Sequence, residues 1–341
     1  MFDTIVAKDC LDITKNIKLN KIKNKKILVL GGNSFIGNYI QAVLSLVNCK
    51  IVSVSLNRPK GIIKKIKKKN FKFIKADLND EKKTKRILSN KFDFIFHLAT
   101  YGQPQKWKQN ELSTINLNTI LLKNVLNHSV KFRSRILYMS SAAIYKLPVK
   151  NKLITENSNL SVGSFESEII YANSKIIGEQ LCRIYKEKFN IPVYIVRPAH
   201  TYGPGQDFKD PRIIPQLIKR GATNKNIFLF DRGKSVRTWG YIADITAMIL
   251  NIVQFGKSFI YNVSGSDHKS IIQIAKIISK YFDNKKITIK NKKLDYTNPK
   301  PTVLKISSKK YNLEFKNKFK TKFIDGITKT IIWNNIWQKL N

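Results

Sequence analysis

Strand-length apolar runs alternate with helix-length amphipathic segments through the first 200 residues, the pattern of a parallel sheet joined by crossover helices. KKILVL at 25–30 predicts a first strand, SFIGNYIQAVLSLV at 34–47 a helix and KIVSVS at 50–55 a second strand. Further strands are predicted at 71–76 (FKFIKA), 92–99 (FDFIFHLA), 134–141 (SRILYMSS) and 193–198 (VYIVRP), with helices over 109–129 and 171–188. After Pro198 the rhythm changes to loops rich in glycine and proline, YGPGQD and KDPRIIP. There follow a helix near 211–221, short strands near 227–230, a helix near 243–254, a strand at 258–263, and helices near 269–281 and over 321–339. Residues 1–24 read as an amphipathic extension, and no internal repeat is visible. The expected fold class is α/β, a doubly wound parallel sheet with a smaller C-terminal lobe.

Composition narrows this picture. A chain of 341 residues with 43% hydrophobic and 25% charged positions has the balance of a globular protein able to build a full core. No apolar run approaches the roughly 18 residues that span a bilayer, and the opening MFDTIVAKDCLDITK has acids where a signal peptide is basic, so a cytoplasmic protein is expected. Cys10, Cys49 and Cys182 are odd in number and scattered, which argues against disulfides and a metal site.

Charge is the compositional surprise: 63 basic against 22 acidic residues give a formal +41. A nucleic-acid binder would concentrate arginine on one face, whereas here 53 of the 63 are lysine, spread through the chain among asparagine and isoleucine. The reading taken is a compositional bias, with nucleic acid disfavoured as a partner. The densest cluster, Arg58 to Lys75, is either a solvated helix face or a seat for phosphate.

At the end of the first strand stands Gly31-Gly32-Asn33-Ser34-Phe35-Ile36-Gly37, where strand gives way to helix. Helix N-terminal amides and the helix dipole bind a pyrophosphate there, with Gly31 making the turn and Gly37 allowing helix to pack on strand. Ser34 occupies the place where a middle glycine is usual. This GGNSFIG turn resembles that of the extended short-chain dehydrogenase/reductases, the NAD(P)-dependent nucleotide-sugar epimerases, dehydratases and reductases. Other blocks match in order: Asp77-Leu78, His97-Leu98-Ala99, Ser140-Ser141-Ala142-Ala143-Ile144-Tyr145, Tyr171-Ala172-Asn173-Ser174-Lys175, and Arg197-Pro198 followed by Tyr202-Gly203-Pro204-Gly205. The likeness continues through Arg237 to Asp244, Tyr261-Asn262-Val263, and Gly326, Thr330 and Trp333, so it covers about residues 26 to 335.

The resemblance implies a Rossmann NAD(P)-binding domain over 25–200, with 231–263 returning to it, and a nucleotide-sugar-binding lobe from 201–230 and 264–341. It implies cofactor contacts from Gly31, Asn33, Ser34, Phe35, Ile36, Gly37, Asp77, Leu78, Leu98 and Ala99. Tyr-x-x-x-Lys occurs three times, but only Tyr171/Lys175 lies in a long helix after a strand ending in serines; Tyr281/Lys285 and Tyr296/Lys300 are taken as chance. Tyr171 is the expected acid/base, Lys175 is expected to lower its pKa and hold the nicotinamide ribose, and Ser141 to bond the sugar oxygen.

Two departures refine the reaction. The family's dehydratases carry an Asp-Glu pair after the active-site hydroxyl, and its decarboxylases keep the Glu; Ala142 and Ala143 stand there instead. Dehydration and decarboxylation become the alternatives, with a catalytically idle NAD(P)- or nucleic-acid-binding protein, to C4 keto-reduction or epimerisation in surface-polysaccharide sugar synthesis. At the end of the second strand no acid is present to read a ribose 2′-hydroxyl, while Ser55 and Arg58 suit a 2′-phosphate. That leans toward NADPH and a reductase, with NAD open. The resemblance implies that Arg237 binds the diphosphate of a nucleotide diphosphate sugar, with Arg212 a further candidate and Lys300 or Lys305 able to substitute for the family's second arginine. Tyr101 and His200 are expected to pack rather than to bind. A homodimer is implied by resemblance.

Overall fold

The chain opens with α1 (Thr4–Asn16), β1 (Lys26–Leu30), α2 (Phe35–Ser45), β2 (Lys50–Ser55) and β3 (Phe71–Lys75). Next come α3 (Glu81–Leu88), β4 (Phe94–His97), α4 (Pro104–Gln109), α5 (Glu111–Asn118), α6 (Ile120–Phe132) and β5 (Arg135–Met139). β6 (Leu153–Ile154), α7 (Ser167–Phe189), β7 (Val193–Pro198) and β8 (His200–Tyr202) lead into α8 (Ile213–Thr223) and β9 (Ile227–Leu229). The last third runs β10 (Val236–Tyr241), α9 (Ile242–Phe255), β11 (Ile260–Val263), β12 (Asp267–Ser270) and α10 (Ile271–Tyr281). It ends with β13 (Ile287–Ile289), β14 (Val303–Ile306), α11 (Lys309–Phe315) and α12 (Phe323–Leu340). This is a computed structural model that describes residues 4–59, 70–148, 152–161, 167–206, 208–223, 226–229, 232–289, 301–316 and 320–340. Most of the lysine-rich cluster, together with Tyr296 and Lys300, lies outside the described residues.

Seven strands form one parallel sheet in the order β11-β7-β5-β4-β1-β2-β3. From β1 the chain winds outward through β2 and β3, then crosses back to β4 on the other side of β1. Such a reversal opens a crevice at the carboxyl ends of the two central strands, where ligands of open α/β sheets bind. Both faces are covered, which is why the strands read as continuous apolar runs. In β1, Ile27 and Val29 enter the core beneath α1, α2 and α9, while Leu28 and Leu30 enter the one beneath α3, α6 and α7.

The amphipathic extension becomes α1, whose Val6, Cys10 and Ile13 are fully buried against α2 and α9. Burial of Val6 and of Ile13 contributes about 1.5–3 kcal/mol each. This cover explains α9, which is buried from Ile242 to Gln254 and apolar nearly all round. Asp9 ties α1 to the rest: it receives hydrogen bonds from the Tyr241 hydroxyl and the Lys329 ammonium, the latter at 2.7 Å.

A second sheet, in the order β12-β10-β14-β6 with β8 also on β10, stands beyond the carboxyl edge of the first. Of residues 231–263, β10 therefore lies in the small sheet, while β11 joins the large one beside β7. The predicted helix over 109–129 is broken: α5 ends at Asn118, Thr119 takes φ −122°, ψ −71°, and α6 begins at Ile120. The helix predicted from 269 begins at Ile271, after β12 and a Ser270 capping box. Among the described residues, no helix is long and apolar enough to cross a membrane.

Candidate active site

The crevice is floored by the turn between β1 and α2. Gly31 has φ +80°, and a Cβ on it would stand 2.7 Å from the Ala99 nitrogen, so the position accepts only glycine. A Cβ on Gly37 would stand 2.7 Å from Ser34 Oγ and 2.8 Å from the Gly32 carbonyl oxygen. Ser34 is the N-cap of α2, its Oγ accepting the Gly37 N–H at 3.1 Å. It thus engages one first-turn amide that a glycine would leave facing the crevice. Gln41, which the sequence reading did not single out, donates to the carbonyls of Gly32 (2.7 Å) and Gly37 (2.8 Å) and pins the turn from beneath. A lone amide on the buried face of an apolar helix was its signal.

Asn33 joins this turn to the end of β2. Its N–H donates to Ser55 Oγ at 2.9 Å, and its side-chain amide to the carbonyls of Asn57 (2.5 Å) and Arg58 (3.2 Å). Ser55, expected to serve a 2′-phosphate, is buried and already accepts this bond, so only its O–H is left to donate; Arg58 is exposed. Asp77, exposed past β3, accepts from the Asn79 backbone and side chain, while Leu78, Leu98 and Ala99 are buried packing residues. Phe35 and Ile36 are half-buried beside the core. Asn33 Oδ1 and Ser140 Oγ are buried without partners among the described residues. With the glycine cradle, these acceptors fit a dinucleotide, whose hydroxyls are donors.

Tyr171 and Lys175 lie one turn apart on α7, across from Ser141 at the end of β5. The Tyr171 phenol is hydrogen-bonded to Ser141, whose Oγ also accepts the Ala143 N–H at 3.1 Å. Lys175 is wholly buried and donates to the Met139 carbonyl at 2.5 Å, its ammonium 4.8 Å from the Tyr138 ring and 5.9 Å from that of Tyr171. Gly178 permits this approach of α7 to β5, since a Cβ on it would stand 2.2 Å from the Tyr138 hydroxyl. Burial pushes Lys175 down to about 7 against the pull of Glu179. Burial raises the Tyr171 pKa, and the Ser141 hydrogen bond opposes that rise. His97, fully buried, is held neutral by burial and by Lys175, down at about 3. One neighbour went unanticipated: Trp107 of α4 stacks on Tyr171, ring centroids 4.7 Å apart and planes 14° from parallel.

The opposite wall is cationic. Arg237 on β10 donates to the carbonyls of Val236 (2.9 Å) and Thr302 (2.7 Å) and to Thr302 Oγ1. Arg212 forks onto Asp210, and its guanidinium lies 5.6 Å from the Phe35 ring centroid, beside the glycine turn. His200 stands edge-on to Trp239 at 5.4 Å. It is exposed, and loss of solvation together with Arg237 and Arg212 lowers its pKa to about 4. His200, expected to pack, therefore belongs to this wall, whereas Tyr101 packs against the core. Lys305, on β14, acts on His268, which bonds Thr238 at 2.8 Å.

A glycine turn at a sheet reversal, with a Ser–Tyr–Lys group beside it, is the arrangement that the likeness to short-chain dehydrogenase/reductases leads one to expect. The model of the NAD dependent epimerase/dehydratase family matches residues 27–264, and the chain belongs to that family. It is 29% identical to the dTDP-D-glucose 4,6-dehydratase of Dictyostelium discoideum over 274 residues, 74% of this chain and 61% of that protein. It is 24% identical to a dTDP-4-dehydro-6-deoxy-D-allose reductase of a Streptomyces species, covering 74% of this chain and 80% of that one. The match spans about three fifths of the length of several curated relatives. In structure it is similar to the UDP-glucose 4-epimerase of Thermotoga maritima, solved with UDP-glucose: TM-score 0.79 at 19% identity, covering 93% of this chain and all of that one.

Proposed function

We propose that the protein is an NAD(P)-dependent nucleotide-sugar oxidoreductase acting at the sugar C4, and that of its two expected reactions net reduction of a keto-sugar is favoured over epimerisation. The observation that carries this reading is the Ser141–Tyr171–Lys175 group, with alanine rather than carboxylate at 142 and 143. No acid at those two positions is available to remove water or to assist loss of carbon dioxide. Relatives include a 4-keto-sugar reductase as well as dehydratases and decarboxylases.

A bound nicotinamide coenzyme supplies a hydride to the sugar carbon. Tyr171 gives its proton to the carbonyl oxygen as that carbon is reduced, and Ser141 holds the oxygen by hydrogen bond. Lys175 holds the nicotinamide ribose, and the Gly31–Gly37 turn the pyrophosphate. Arg58, exposed at the end of β2 where no acid stands, supports the lean toward NADPH. Arg237, Arg212 and His200 take the diphosphate of the nucleotide, with guanidinium forks suited to phosphate oxygens.

The proposed dimer joins two copies through α5 and α7, where Leu112, Ile115, Ile177 and Ile184 are exposed. Ile177 and Ile184 are seven residues apart and share a face.

The test offers purified protein a nucleotide 4-keto-6-deoxy-sugar with NADPH or NADH, and separately a C4-hydroxyl nucleotide sugar with NAD. Stoichiometric NADPH consumption in the first assay supports the reductase. C4 inversion in the second without net coenzyme turnover makes it an epimerase, and inactivity in both contradicts the proposal.

A further inference from the structure

Burial of the Tyr171 ring has an identifiable source. Only 8% of the residue is exposed, and one face is covered by the parallel indole of Trp107. Trp107 is carried by α4, a six-residue turn with no buried residue and no side-chain N-cap bond. Gly102, just before it, has open space where a Cβ would stand. The stack on α7 is thus a main attachment of α4, and weakly held segments of this kind open locally. The Trp107 indole N–H is itself buried without an acceptor among the described residues, and tryptophan N–H groups normally find one.

We propose that Trp107 is a positioning residue for the reaction at Tyr171: an aromatic cover that fixes the plane of the phenol ring and keeps water from it. This rests on the assignment of Tyr171 as the proton donor. A dry phenol disfavours the phenolate, because the anion loses more solvation than the neutral form. The groups around the ring act alongside it. Lys175 lies one turn on, Tyr138 stands behind, Ser141 bonds the hydroxyl, and Lys106 and Lys108 flank Trp107 in sequence. The cover therefore favours the proton-carrying phenol that a ketone reduction consumes, over the phenolate that an alcohol oxidation requires.

The experiment titrates phenolate absorbance in the full-length protein, taking the Tyr171 transition as the one missing from Tyr171→Phe. It compares wild type, Trp107→Phe, which keeps an aromatic ring for stacking, and Trp107→Ala, which removes it. No residue of α4 is fully buried, and circular dichroism of each variant against wild type checks that the fold is retained. Expected is a Tyr171 midpoint lowered by about one pH unit in Trp107→Ala, a tenfold change in the phenolate ratio, and moved less in Trp107→Phe. A midpoint unmoved in Trp107→Ala, or moved as far in Trp107→Phe, overturns the proposal. The titration needs no nucleotide sugar, so it can fail while Tyr171→Phe still abolishes turnover; full turnover in Tyr171→Phe would instead remove the function on which it rests.

Discussion

The two walls of the crevice are built from different material. On the side of the large sheet the site is mostly backbone: a left-handed Gly31, a helix start capped by Ser34, and amide and carbonyl groups pinned by Gln41 and Asn33. On the side of the small sheet it is side chains: Arg237, Arg212 and His200, already held by Thr302, Asp210 and Trp239. A backbone site tolerates almost no change in residue type, because the constraint is steric. A side-chain site is adjustable, since its cations can trade an internal partner for a ligand oxygen at modest cost. In the proposed enzyme the rigid wall takes the invariant dinucleotide and the adjustable wall the sugar nucleotide, with Tyr171 between them.

Breaking that comparison at its centre gives the largest effect. Tyr171→Phe removes the transferred proton and is expected to lower turnover about 10²–10⁴-fold while both ligands still bind, as isothermal titration would show. On the rigid wall, Gly31→Ala places a methyl against the Ala99 backbone at a positive φ and is expected to weaken dinucleotide binding about a hundredfold. On the adjustable wall, Arg237→Ala is expected to raise KM for the nucleotide sugar about tenfold and to leave dinucleotide affinity unchanged. Equal loss of both ligands in either variant would dissolve the distinction between the walls.

The smallest expected effect is one of pH. His200, though exposed, is held at about 4, below its ordinary value, by loss of solvation and by the two arginines. A diphosphate seated there raises that pKa, so its affinity strengthens a few-fold as pH falls from about 6.5 toward 4. For folding the sign is opposite. On acidification the unfolded histidine binds its proton first, so stability is lost as pH falls through about 6.5 to 4. His200→Gln should flatten both dependences, measurable by titration calorimetry and by denaturant unfolding.

The same contrast governs how much could be read from the chain. GGNSFIG, the buried strands and Tyr171/Lys175 announce themselves, because steric turns and helical spacing are written in consecutive residues. The small sheet does not: β6, β8, β12 and β14 have two to four residues each, too few to show a period. α3 went unseen because its buried residues, Thr84 and Ile87, are hidden among lysines. The break at Thr119 follows a run of asparagine and threonine, side chains that compete for backbone groups, here with Thr119 donating to the Ile115 carbonyl. His200 and Trp107 acquire meaning only from partners distant in sequence, and no local pattern marks either.

The central claim is hydride delivery to the sugar C4 with proton delivery by Tyr171. It is tested most directly by mixing the protein with NADPH carrying deuterium at the transferable position and a nucleotide 4-keto-6-deoxy-sugar, then locating the label. The account predicts deuterium bound to C4 of a single C4 epimer, and no transfer in Tyr171→Phe. Label at another carbon, or a product without label, would contradict it.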